Sequence, residues 1–183
     1  MDKNGISIIG LDRAGKSVIT NYLATGILVK DFKPTLALNY SKIIFNGIKY
    51  PWCDAPGQQS LRSTWNKCLQ IAMFVIYVLD ISDSARYPEA LDELTKVIKN
   101  PDLEGIPMVF LFHKIDMIKN KDDEMQAKLF FSEDFIQSFG HRELKFFDTS
   151  IFQLNTLDAV KEYITFHLCE LTAALQACND GTP

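Results

Sequence analysis

The chain has no long apolar run, no basic run and no local cysteine motif, and each absence removes a class of function. Its longest apolar stretch, residues 71–79, is far shorter than the roughly 20 residues of a membrane-spanning helix. Met1-Asp2-Lys3-Asn4-Gly5 leads straight into Ile6-Ser7-Ile8-Ile9, without the apolar region and cleavage site of a secretory signal. The net charge is −4 and no Lys/Arg cluster stands out, which argues against nucleic acid as a partner. Cys53, Cys68, Cys169 and Cys178 form no C-x-x-C pair and lack metal-ligand spacing, so the expectation is reduced thiols in a cytoplasmic protein. Internal repeats and low-complexity segments are also missing. What remains is 47% hydrophobic and 23% charged residues in a chain of 183, the balance of an ordinary globule, expected as one domain over 1–183.

Apolar runs alternate with helical periodicity, the pattern of an α/β fold with a mostly parallel sheet. Strands are expected at 6–9, 38–45, 48–53, 73–79, 108–112 and 145–147, and helices at 16–25, 87–99, 122–139 (in two pieces) and 156–177. The polar segment 58–70 also has helical spacing. Asn46-Gly47 is a two-residue hairpin signal, since both central positions of such a turn want positive φ. It makes one strand antiparallel to the rest. The reading is a three-layer fold: a six-stranded, mostly parallel sheet with one antiparallel strand and about five helices.

Gly10-Leu11-Asp12-Arg13-Ala14-Gly15-Lys16-Ser17 matches G-x-x-x-x-G-K-[ST], the phosphate loop. Its glycines let backbone N–H groups close around phosphate oxygens, and the helix starting at Lys16 points its positive end at the anion. In such a loop the lysine, here Lys16, reaches the β- and γ-phosphates, and the hydroxyl, here Ser17, ligates Mg²⁺. Asp12, Arg13, Ala14, Gly15 and Val18 complete the expected phosphate cradle.

Four further motifs follow in order, and with them nearly the whole chain resembles the Ras-like small GTPases. Pro34-Thr35 is similar to their switch I threonine, a Mg²⁺ ligand that touches the γ-phosphate. Asp54-Ala55-Pro56-Gly57-Gln58 resembles D-x-x-G-Q of switch II. There the resemblance implies Mg²⁺ held through water by Asp54, a γ-phosphate sensed by the Gly57 N–H, and an attacking water oriented by Gln58. His113-Lys114-Ile115-Asp116 stands where the family has N-K-x-D. The Asp116 carboxylate suits the paired N–H donors of guanine, which adenine lacks, while the Lys114 stem would cover the base. His113 is either a loop-bonding substitute for Asn or a satisfied buried histidine. Thr149-Ser150-Ile151 resembles the base-contacting loop, with Ser150 and Ile151 offering N–H groups to the guanine oxygen.

Leu11-Asp12, the short Thr35-to-Asp54 distance, and Leu61-Arg62 with Trp65 resemble the Arf branch. His113, Thr149-Ser150-Ile151 and Pro56 resemble the Rag GTPases. The departures are a missing myristoylation glycine, since position two is Asp2, and Leu38, Cys53 and Cys68 at the positions of the Arf aromatic triad. The resemblance implies GTP or GDP with Mg²⁺, slow hydrolysis, an exchange factor, an activating protein and effectors. It also leaves room for dimerisation through the switches or the last helix. No stable lipid anchor is expected, so membrane contact would be transient and through partners. The alternative is a nucleotide-binding interaction module, such as a heterodimer partner, with little hydrolysis. An ATP-dependent kinase or ATPase on the same loop is disfavoured by Lys114 and Asp116.

Overall fold

The computed structural model describes residues 3–29, 33–132 and 143–179, the side chains at 121 and 174–179 excepted. Six strands, β1 (Gly5–Ile9), β2 (Asn39–Phe45), β3 (Ile48–Asp54), β4 (Ala72–Asp80), β5 (Met108–His113) and β6 (Leu144–Thr149), form one sheet in the order β2-β3-β1-β4-β5-β6. Only β2 and β3 pair antiparallel. Their turn has φ 48° at Asn46 and 78° at Gly47, as the dipeptide requires. Five α-helices are described: α1 (Lys16–Thr25), α2 (Trp65–Leu69), α3 (Tyr87–Ile98), α4 (Lys121–Phe130) and α5 (Leu154–Asn179). The expected elements stand, with ends moved by a residue or two. The polar segment after Gln58 splits into a 3-10 turn, Gln59–Thr64, and α2. The second piece of the helix expected to 139 lies outside the described residues.

β4 and β5 are buried almost end to end, because a parallel sheet is covered on both faces and its central strands must be apolar on both. On β4, Val75, Tyr77 and Leu79 join the core under α2, α3 and α4, while Ile76 and Val78 join the one under α1 and α5. Each helix meets the sheet with a stripe at three- and four-residue spacing. On α3 the stripe is Tyr87, Ala90, Leu94, Val97 and Ile98. On α5 it is Leu157, Val160, Ile164 and Leu168, continued by a partly buried Leu171. Among the described residues no helix is long and apolar enough to cross a membrane.

Cys53 at the end of β3 and Cys68 in α2, expected as separate thiols, lie against one another: both are fully buried and their Cα atoms are 5.8 Å apart, close enough to be bridged. Fifteen positions separate them, so no local motif announces the pair; it arises because α2 folds back over β3.

Candidate functional site

The motifs gather at the carboxyl ends of β1, β3, β4 and β5, where open α/β sheets hold ligands. The chain leaves β1, turns through 10–15 and enters α1, whose N-cap is Gly15 at φ 96°. A Cβ there would come within 2.8 Å of the His113 ring, so both conformation and space demand glycine. Lys16 is buried and its Nζ donates to the carbonyls of Gly10 and Leu11 at 2.9 and 2.8 Å. Burial pulls its pKa down to about 8, against the opposing pull of Asp54 and Asp12. An ammonium held this way stays mostly charged near pH 7, and a neighbouring anion would raise its pKa again.

Ser17 Oγ donates to Asp54 Oδ2 at 2.6 Å and lies 3.0 Å from Thr35 Oγ1. Asp54 is buried, and burial raises its pKa despite the Ser17 hydrogen bond and Lys16. Its other oxygen, Oδ1, is buried with no hydrogen-bond partner. Three oxygens from three segments thus meet at one point. Beside them opens a cavity of about 310 Å³, walled by Asp12, Arg13, Gly15, Lys16, Ser17 and Val18 on one side and by Pro34, Thr35, Gly57 and Gln58 on the other. Ala14 is buried beneath the loop.

Behind the loop lies an ionic cluster the sequence did not reveal. Arg86 Nη2 donates to Asp12 Oδ1 at 2.7 Å and its Nε to Glu89 at 2.9 Å. Arg62 donates to Glu89 at 2.7 Å and stands 3.7 Å from Asp12. Burial raises the Asp12 pKa, but Arg86 and Arg62 outweigh it and hold the carboxyl below its usual value. The side chain of Asp12 therefore faces the cluster, and its carbonyl also accepts from Arg86 Nη1 at 3.1 Å. Arg13, at φ 63°, is exposed at the rim.

At the base end, Asp116 is exposed and accepts a short hydrogen bond from the Ser150 hydroxyl. Lys114, itself at φ 68°, donates to Asp80 at 2.5 Å. His113 is buried, and its Nδ1 pairs with Thr149 Oγ1 at 2.9 Å. This is the satisfied buried histidine of the two readings, although its ring edge also braces Gly15. Burial, then Lys114, lowers its pKa to about 4, so it is neutral near pH 7. One expectation changes: the Ser150 N–H is taken by Thr156 Oγ1 at 3.1 Å, so Ser150 acts through its hydroxyl on Asp116. Asp80 and Thr156 were missed as parts of the site. A strand-end Asp and a Thr in a first helical turn were the only signals.

The profile of the ADP-ribosylation factor family matches residues 2–167. ADP-ribosylation factor-like protein 8c of Arabidopsis thaliana is 28% identical over 162 residues, covering 88% of this chain and 86% of that one. Protein 8d of the same plant is 30% identical over 112 residues, 61% of this chain and 64% of the other. Among solved structures, the Arl6 BBS3 small GTPase from Trypanosoma brucei with bound nucleotide analogue GppNp matches with a TM-score of 0.69 over 94% of this chain and 98% of that one. At 20% identity this likeness speaks for the fold.

Proposed function

This chain belongs to the ADP-ribosylation factor family of small GTPases, and from that premise we propose a single-domain guanine-nucleotide switch that binds GTP or GDP with Mg²⁺ and hydrolyses GTP slowly. The observation that carries this reading is the oxygen cluster of Ser17, Thr35 and Asp54. Leaving the buried Asp54 Oδ1 unpaired costs about 1–3 kcal/mol, and a hydrated divalent cation removes that penalty. The residues fit Mg²⁺, with Ser17 and Thr35 as direct ligands and Asp54 acting through water. When bound, the ion supplies charge neutralisation at the β- and γ-oxygens.

The protein's own groups do the rest. Lys16 leaves its two carbonyl partners for the β- and γ-phosphates. Gln58, partly exposed at the mouth of the cavity, orients the attacking water together with the Thr35 carbonyl. Asp116 accepts from the paired N–H donors of guanine, the Lys114 stem covers the base, and the Ile151 N–H meets the guanine oxygen. Among the described residues no arginine is placed on the γ-phosphate. Arg62 and Arg86 are tied to carboxylates, and Arg13 sits at the rim. An arginine supplied by a partner is worth roughly 10³–10⁵ in rate, so intrinsic turnover stays well below one per second and an activating protein accelerates it. An exchange factor and effectors complete the cycle. The setting is cytoplasmic, with membrane contact made through partners.

Single-turnover phosphate release from protein preloaded with GTP tests this. Gln58→Leu should slow release by at least about tenfold with GTP affinity nearly intact, and excess ATP should not displace GTP. Equal rates in the two proteins would favour the alternative, a nucleotide-binding interaction module.

A further inference from the structure

We propose that Trp65 and Arg62 are positioning residues for the γ-phosphate: two buried donors that lock consecutive peptide groups of the 54–58 loop. Trp65 Nε1 donates to the Pro56 carbonyl at 2.7 Å, and Arg62 Nε donates to the Gly57 carbonyl at 2.8 Å. Both side chains are almost fully buried, with Trp65 at 3% and Arg62 at 6% exposure. Neither peptide group is cis. In a trans peptide the C=O and N–H point to opposite sides. Holding the Pro56 carbonyl therefore fixes the direction of the Gly57 N–H, and holding the Gly57 carbonyl fixes that of Gln58. Both N–H groups are turned away from the clamping side chains, and both residues line the cavity. Among the described residues nothing accepts from the Gly57 N–H. The position also demands glycine, since a Cβ on it would come within 2.2 Å of the Asp12 nitrogen.

The clamp is itself braced. Arg62 is gripped by Glu89 at 2.7 Å and faces Glu93 at 3.6 Å, both on α3, and Trp65 is wedged in the core beside Cys68 and Leu69. Pro56 is buried and brings no N–H of its own to compete. A donor held in this way acts on the charge it faces without reorganising. The loop is thus preset for an anion at the position of the third phosphate, and GDP, which lacks that group, has no use for it.

This rests on the proposed switch function, and the test separates the two. Wild type, Trp65→Phe and Arg62→Lys are titrated calorimetrically with GDP and with the non-hydrolysable triphosphate GppNHp, and their melting temperatures are recorded. Trp65→Phe keeps the aromatic filling and loses the donor. It should weaken GppNHp about tenfold and GDP by less than about twofold, and Arg62→Lys should move the same ratio in the same direction. A benzothiophene amino acid at position 65, equal in shape to indole without its N–H, should reproduce Trp65→Phe. Parallel loss of both nucleotides with a lowered melting temperature, or an unchanged ratio, would overturn the positioning role alone. A wild type that binds neither guanine nucleotide would overturn the switch function and this proposal with it.

Discussion

The two ends of the cleft are built from different materials. At the phosphate end the work falls to backbone and to buried charge: Lys16 is 6% exposed and Asp54 1%, each displaced from its usual pKa by burial. At the base end Asp116 is exposed, trimmed by a buried serine hydroxyl, and Lys114 is tied to a neighbouring carboxylate. Charges out of water interact strongly and leave large penalties when unpaired, whereas exposed ones are screened. The phosphate end should therefore hold most of the affinity, and the base end most of the choice between nucleotides.

The strongest way to break that comparison is Lys16→Ala. Truncating one partner of a buried charge contact costs about 2–5 kcal/mol, so affinity for GDP and GTP should fall by roughly 30- to 4,000-fold in a fluorescent-nucleotide titration. The nucleotide-free protein should melt no lower than wild type, because a partly desolvated ammonium has been removed. A loss below about tenfold would put the affinity elsewhere.

Asp116→Asn sharpens it from the other side. The amide no longer accepts both guanine donors, which is worth about 1–3 kcal/mol, or roughly 10- to 100-fold in GTP affinity. Xanthine nucleotides, whose oxygen accepts from the amide, should bind better than to wild type. Competition assays with GTP, XTP and ATP read this directly, and an unchanged preference order would remove Asp116 as the selector.

The same contrast decides what the sequence could disclose. The phosphate loop is eight contiguous residues between a strand and a helix, so its chemistry and its place in the fold were both readable. Asp54 ends β3, Gly57 follows it by three positions and Thr35 precedes β2 by four, so all three could be put beside it from strand order. The base end joins the ends of β5 and β6 with the first turn of α5, and its hydrogen bonds depend on side-chain directions that spacing does not encode. That is why Thr156 rather than a base took the Ser150 N–H, and why His113 turned to Thr149. The Arg62 contact is braced by α3 carboxylates more than twenty positions away, and the Cys53–Cys68 pair depends on how α2 folds back. Both are tertiary facts without a local signature.

His113 links the two ends, and acid should expose it. Its folded pKa is about 4 against a usual 6.5, so below pH 6.5 the unfolded chain takes the proton first. Stability is then full above that pH and lost as pH falls towards 4: about 1 kcal/mol near pH 6 and about 2 kcal/mol near pH 5. Asp54, with its raised pKa, works in the opposite sense, so the comparison must be with a variant. His113→Asn should flatten the fall in urea-denaturation free energy between about pH 7 and 5. Parallel curves would mean that the histidine is reached by water and does not carry the linkage.

The smallest effect belongs to the pair that steadies Lys114. Its Nζ lies 2.5 Å from Asp80, with side chains 26% and 19% exposed, so water still reaches the contact and its net worth is at most about 1 kcal/mol. Asp80→Asn keeps the shape and removes the charge. GTP affinity should fall about two- to fivefold, with the preference for GTP over XTP and ATP untouched, because in the proposed switch Lys114 covers the base whereas Asp116 chooses it. Salt makes the prediction sharper: the Debye length shrinks from about 10 Å at 0.1 M to about 3 Å at 1 M, so the gap between wild type and Asp80→Asn should close at high salt, while the Asp116→Asn defect, a matter of unpaired donors, should persist. An Asp80→Asn loss as large as that of Asp116→Asn, or one indifferent to salt, would mean that the base end is a second buried-charge site and that the two ends do not differ in kind.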